Sequence, residues 1–235
     1  MIYHQVGSGR SHEMNITVNA FRRQLDWLQA HGEIVHLEEA VTRRGDPGSH
    51  RLFALTFDDG YADVFTHAFP ILNQRQIPFT LYLTSGPIAK PAEFPEWPGR
   101  PLSWGQVRSM IESALVTVGA HTHTHADLRH IPEHAIVEEL DRSNALIAEQ
   151  TGIYPAHFTY PKGWWAPGAH QAVRARYRTA TVGSGGAITT MSDLHALHRI
   201  PVQRSDVGPL FGIKLRTGAR VEDRVRRRLH GYKGP

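Results

Sequence analysis

The chain has 235 residues, of which 40% are apolar and 20% charged, with no cysteine and a formal charge of +4. That is enough apolar sequence for one sizeable core, and the missing cysteines exclude disulfides, thiolate metal sites and a cysteine nucleophile. No apolar run approaches the length of a membrane-spanning helix, and no secretory segment precedes the strand-like residues 1–4, so the expectation is a cytoplasmic chain or one that has lost a leader.

Strand-like and helix-like stretches alternate along the sequence. Phe21, Leu25 and Leu28 recur at helical spacing, and Gly32 is placed to close that helix at C′, where a left-handed glycine commonly ends one. Residues 34–36 form a short strand and residues 52–57 a second. Residues 64–76 read as a helix kinked at Pro70, and 79–83 as a strand. Five prolines in residues 86–101 mark a long loop of a kind that is often functional. Ser103 caps a helix running through Glu112, residues 116–120 are another strand, and Pro132 opens the longest helix, to Gln150 before Gly152. Such alternation predicts a parallel sheet or barrel. With no linker and no internal repeat, residues 1–235 are expected to form one domain. Its positive charge gathers near the end, where Lys214, Arg216, Arg220, Arg224, Arg226, Arg227 and Arg228 face only Glu222 and Asp223. The basic segment 214–235 is read as a solvated tail or as a contact with an acidic membrane surface. No nucleic-acid recognition motif accompanies it.

Two places carry chemistry. The apolar run 52–57 ends on Asp58, Asp59 and Gly60, at the end of a strand where α/β enzymes collect functional groups. Asp-Asp-Gly is also an ordinary turn. About sixty residues later the run 116–120 ends on His121, His123 and His125. Asp59 with His121 and His125 supplies three ligands to a zinc ion and leaves one position for water, which suits amide hydrolysis with Asp58 taking the proton. Strand alternation turns His123 away from the other two. His130 and His134 flank Pro132 and read as a solvated helix start.

Thr56-Phe57-Asp58-Asp59-Gly60 followed by His121-Thr122-x-x-His125 resembles the first two signatures of the polysaccharide deacetylases, the NodB-homology proteins of carbohydrate esterase family four. Residues 1–4, Leu102-Ser103-Trp104 and Tyr160-Pro161-Lys162-Gly163 are similar to segments of that family's biofilm-glycan branch. The resemblance implies a distorted (β/α) barrel with fewer than eight full repeats. It implies a metal on Asp59, His121 and His125, most simply Zn2+, with Co2+, Mn2+ or Ni2+ as alternatives, and Asp58 as general base. The implied substrate is an N-acylated amino sugar or N-acetylhexosamine glycan, which would lose acetate.

The third signature departs from the family pattern. Thr159 stands where many members have an arginine that braces the base, and Lys162 where an aromatic residue offers a backbone N–H to the oxyanion. The Lys162 N–H is expected to keep that role, since it does not depend on the side chain. Arg199 is either the substitute brace or a surface ion-pair partner. For the general acid, His198 is favoured over His195 and His4. Trp164 and Trp165 are placed to stack on sugar rings or to fill the core, Trp97 flanks the proline-rich loop, and Trp104 is expected in the core. The expected activity is metal-dependent N-deacetylation. The alternatives are a deacylase or deformylase of a nucleotide- or lipid-linked sugar, and a glycan-binding module without activity.

Overall fold

The computed structural model describes residues 1–46, 51–183 and 185–217. The chain opens with strands β1 (Ile2–Tyr3), β2 (Gln5–Val6) and β3 (Asn15–Ile16), then helix α1 (Val18–His31), strand β4 (Glu33–Ile34) and helix α2 (Leu37–Thr42). Strands β5 (Leu52–Phe53) and β6 (Thr56–Phe57) precede α3 (Phe69–Gln74), β7 (Phe79–Leu83), α4 (Ser85–Ala89) and α5 (Trp104–Ile111). The remainder is β8 (Val116–Ala120), α6 (Glu133–Thr151), β9 (His157–Thr159), α7 (His170–Arg174), β10 (Thr179–Val182), β11 (Leu197–His198) and α8 (Pro209–Thr217).

Seven of these strands form one sheet in the order β1-β6-β7-β8-β9-β10-β11, and every pairing in it is parallel. The sheet's two edges meet, because Ile2 N donates to Ile200 O and Val202 N donates to Ile2 O, each at 2.9 Å. The architecture is the expected distorted (β/α) barrel with fewer than eight strands. Its outward positions, among them Phe57, Phe79, Leu81, Phe158 and Val182, join the main core beneath the helices. The alternate positions include Thr56, Thr80, Thr159, Thr179 and Thr181, all buried. Threonine suits a strand through its branched Cβ and gives the barrel interior hydroxyls.

Local chemistry explains where sequence expectation and structure differ. Residues 52–57 are two strands, because the chain changes partner at Ala54 and Leu55: β5 pairs with β4, and β6 with β1 and β7. Gly32 does end α1, but its backbone is extended; a Cβ there would lie 2.0 Å from Arg51 O, so close approach of the neighbouring chain requires the glycine. Pro70 produces no simple kink. Residues Val64–Ala68 form a π-turn in which Phe69 N reaches back to Val64 O, and Pro70 then sits in the first turn of α3, where its missing N–H costs nothing. The proline-rich loop holds α4 and a 3₁₀ turn at Pro91–Glu93. As expected, Ser103 caps α5, with Gln106 completing a capping box, and α6 runs from Pro132 to a left-handed Gly152.

At the basic end, Lys214 is buried and paired with Asp206 at 2.8 Å, so it cannot meet a membrane surface as expected. Residues 218–235 of that segment lie outside the described residues. Among the described residues no helix is long and apolar enough to cross a membrane.

Gly119 in β8 tests the packing of the barrel wall. A Cβ there would lie 2.4 Å from the Tyr82 ring and 3.0 Å from His157 O. Gly119→Ala is expected to lower stability by about 1–3 kcal/mol, the usual cost of overpacking, as read from urea unfolding.

Candidate active site and metal centre

Parallel strands place their C-terminal ends on one rim, and the acids and histidines arrive there. Asp58 and Asp59 follow β6, His121 to His125 follow β8, and His4 follows β1. Strand alternation would send Asp58 and Asp59 to opposite faces. Asp59 instead takes a left-handed backbone (φ 73°), as do Thr122 (63°), His125 (64°) and Lys162 (60°). Few residues other than glycine tolerate that conformation, and such strain collects at functional sites.

Asp59 Oδ1 lies 3.3 Å from His121 Nε2 and 3.5 Å from His125 Nε2. Ligand atoms bound to zinc at about 2.1 Å with tetrahedral angles stand about 3.4 Å apart, which matches both separations. Asp59 Oδ1 is buried without a well-formed hydrogen bond, an expensive state that a cation relieves. Each histidine is held in place. His121 Nδ1 is 2.8 Å from Thr159 O, so it donates there and leaves Nε2 free for a metal. Thr122 Oγ1 accepts from His125 N and donates to His121 O. Trp97 packs edge-on to His125 and against Tyr61. Glu139 of α6 clamps the histidine loop by accepting from the backbones of His123 and Thr124 and from the Thr124 hydroxyl. No motif in the sequence marks Glu139 for this role. His123 turns away, with Nδ1 2.9 Å from Ser85 Oγ, and His130 and His134 are exposed.

Asp58 is 3% exposed. Arg199, equally buried, grips both its oxygens at 2.7 and 2.8 Å and gives the second donor of Nη1 and of Nη2 to Thr56 Oγ1 and Thr159 Oγ1, each at 2.6 Å. Arg199 is thus the brace and no surface residue, and Thr159 receives it from across the barrel. Burial alone would raise the Asp58 carboxyl, but the Arg199 charge and hydrogen bonds hold it below its ordinary value. Burial likewise opposes ionisation of Asp59, and His121, His4 and His125 overcome it and keep that carboxyl well below the usual range. Burial, aided by His121, pushes His125 down to about 4 and so keeps its imidazole neutral, as a ligand must be.

His198 is in register with Val182, an outward position, so alternation puts it on the opposite face of the strand from Arg199, whose side chain enters the barrel. His195 is occupied by Tyr177 O at 2.9 Å. His4 is at the site. The register Tyr3↔Phe57 sets it beside Asp58, and its buried Nδ1 has no hydrogen-bond partner among the described residues. Lys162 sits in the turn Pro161–Gly163, whose bonds run from Gly163 N to Tyr160 O and from Trp164 N to Pro161 O and bypass the Lys162 N–H. Gly163 must be glycine, since a Cβ would lie 2.7 Å from Gly183 Cα. Trp165 is 47% exposed, Trp164 is half-buried beneath Arg129, and Trp104 packs on the core.

The sequence pattern described as polysaccharide deacetylase matches residues 45–179, more than half of the chain. The chain belongs to the polysaccharide deacetylase family. It is 24% identical over 217 residues to YxkH of Bacillus subtilis, a protein named for the same family, covering 90% of this chain and 74% of that one. It is also 33% identical over 120 residues to poly-beta-1,6-N-acetyl-D-glucosamine N-deacetylase of Escherichia coli K12, covering 46% of this chain but only 18% of that longer protein. The solved structure of IcaB from Ammonifex degensii superposes with a TM-score of 0.74 at 26% identity, covering 90% of this chain and 94% of that one.

The Arg199–Asp58 pair gives a stability test. Arg199→Met leaves a buried carboxylate alone, and a loss of about 3–5 kcal/mol is expected at pH 7. Because the folded-state pKa of Asp58 is lowered, its contribution in the parent is present above the unfolded value and lost only as pH falls through the folded one. In the variant burial raises that carboxyl instead, so the difference should shrink as acidification protonates it. Urea unfolding of the metal-free proteins at pH 7 and pH 4 reads both.

Proposed function

We propose that this deacetylase is a divalent-metal-dependent amidase that removes the acetyl group from an N-acetylhexosamine glycan. The convergence of Asp59, His121 and His125 beside an Asp58 held ionised by Arg199 carries the reading. Asp59, His121 and His125 would hold the ion, with zinc best suited to the set. When bound, such an ion supplies Lewis acidity and a water of lowered pKa. Asp58 takes the proton of the attacking water, and Arg199 fixes the carboxylate's direction while leaving each oxygen a further lone pair. The Lys162 N–H donates to the acyl oxygen as negative charge develops. His4, in place of the expected His198, passes a proton to the departing nitrogen. Likeness to a poly-N-acetylglucosamine N-deacetylase favours a polymer over a sugar precursor. Residues 1–235 act as one catalytic domain in this reading, since His4 and Arg199 both lie outside the matched residues 45–179 yet reach the site.

Acetate release from N-acetylglucosamine oligomers, with nucleotide- and lipid-linked N-acyl sugars alongside, tests the proposal. Chelated protein should be inactive and zinc should restore it. Asp58→Asn should retain the metal and lose at least 100-fold in kcat, a typical contribution of a general base, whereas His121→Ala should lose the metal itself. Loss of metal in Asp58→Asn would overturn the division of roles, and metal-loaded protein that releases nothing from any substrate would favour a binding module.

His4 and His198 are separated by the same assay. His4→Asn should lower kcat by about 100-fold or more, and His198→Asn should change it little. The reverse ranking would return the acid to His198.

A further inference from the structure

Beside the turn that carries Lys162, two cations share one carboxylate. Asp127, two residues past His125, receives Arg129 Nε and Nη2 at 2.9 and 2.7 Å, and Lys162 Nζ lies 3.8 Å from its Oδ2. Both cations converge on one indole: the Arg129 guanidinium is 3.7 Å from the Trp164 ring centre and Lys162 Nζ is 5.0 Å from it. Among the described residues Asp127 is the one carboxylate in an ion pair with either cation. Arg129 engages both Asp127 oxygens, so the single negative charge of that carboxylate is already spent. Two positive charges against one leave an excess, and an aromatic face attracts a cation only weakly where water competes.

Position gives this excess a meaning. Lys162 is the residue whose N–H is assigned to the acyl oxygen, so the patch begins one side chain away from the reacting centre. Arg129 and Lys162 are both partly open to solvent. Two of the guanidinium nitrogens are fixed by Asp127, which orients the planar group and leaves Nη1 available to an oxyanion. The hydroxyl and amide oxygens of a neutral glycan can accept from these donors but leave the excess charge uncompensated.

We propose that the substrate carries an anion, a carboxylate or a phosphate, on the unit adjoining the N-acyl sugar, and that Arg129 and Lys162 recognise it. The inference rests on the deacetylase reading above. The chain's formal charge of +4 assists the approach of such a polymer at low salt.

The experiment compares kcat/KM of the zinc-loaded protein on three N-acetylhexosamine oligomers: neutral, with a uronate neighbour, and with a phosphate-bearing neighbour. The expected result is about a tenfold preference for one anionic oligomer, the size of one charge-assisted contact, and the preferred oligomer identifies the anion. Arg129→Gln should bring the ratio to near one, Arg129→Lys should keep part of it, and 0.5 M salt should diminish it. The ratio within each protein is the readout, so a general loss of activity in a variant does not imitate the result. Equal kcat/KM on all three oligomers, or a preference that survives Arg129→Gln, overturns the anion site while leaving the deacetylase intact. Absence of release from all three, with zinc bound, overturns the deacetylase reading and this inference with it.

Discussion

The buried contact between Arg199 and Asp58 links the chain just after the last barrel strand to the strand that carries both acids. Neither group could remain charged there alone, because taking an ion out of water costs several kcal/mol. Together they neutralise one another, and Thr56 and Thr159 take the remaining donors of the two terminal guanidinium nitrogens. The threonine-lined interior is what makes room for this pair. An aliphatic lining would have packed as well and left two of the arginine's donors without partners.

Around that pair the site is built by turns that violate ordinary backbone preference. Asp59, His125 and Lys162 come from loops after three different strands, and each is left-handed. The strain has a common consequence: every one of these residues leaves its strand direction abruptly and stays on the rim. Side-chain and backbone bonds hold the turns, notably the Thr122 hydroxyl within the histidine loop and Glu139 reaching it from α6.

How much of this was legible in the sequence depended on distance along the chain. Asp58, Asp59, His121 and His125 could be placed together because each closes an apolar strand-like run, and parallel strands share a rim. The helices with capping residues, at Ser103 and Pro132, were legible for a similarly local reason. Sequence ranks His198 above His4 as the candidate acid, but which of them faces the rim depends on strand register and facing, which pairing partners decide. Arg199 was a candidate without a location until the barrel closed around it. Gly32 and Pro70 were recognised as punctuation, but their roles depend on Arg51 O and on a π-turn, neither of which composition reveals.

Closure of the barrel through Ile2 and residues 200–202 has a kinetic corollary. Asp58 and Arg199 are 141 residues apart, and Arg199 and Thr56 are 143 apart, so the contacts that complete the site are among the least local in the molecule. Long-range contacts of this kind form late, after the entropy of a large loop has been lost. A folding intermediate with β6 to β9 assembled would already hold the histidines near Asp59 while Asp58 still faced water. The Asp59–histidine cluster can therefore assemble before the Asp58–Arg199 pair, and docking of the last strand sets the moment at which the site is complete.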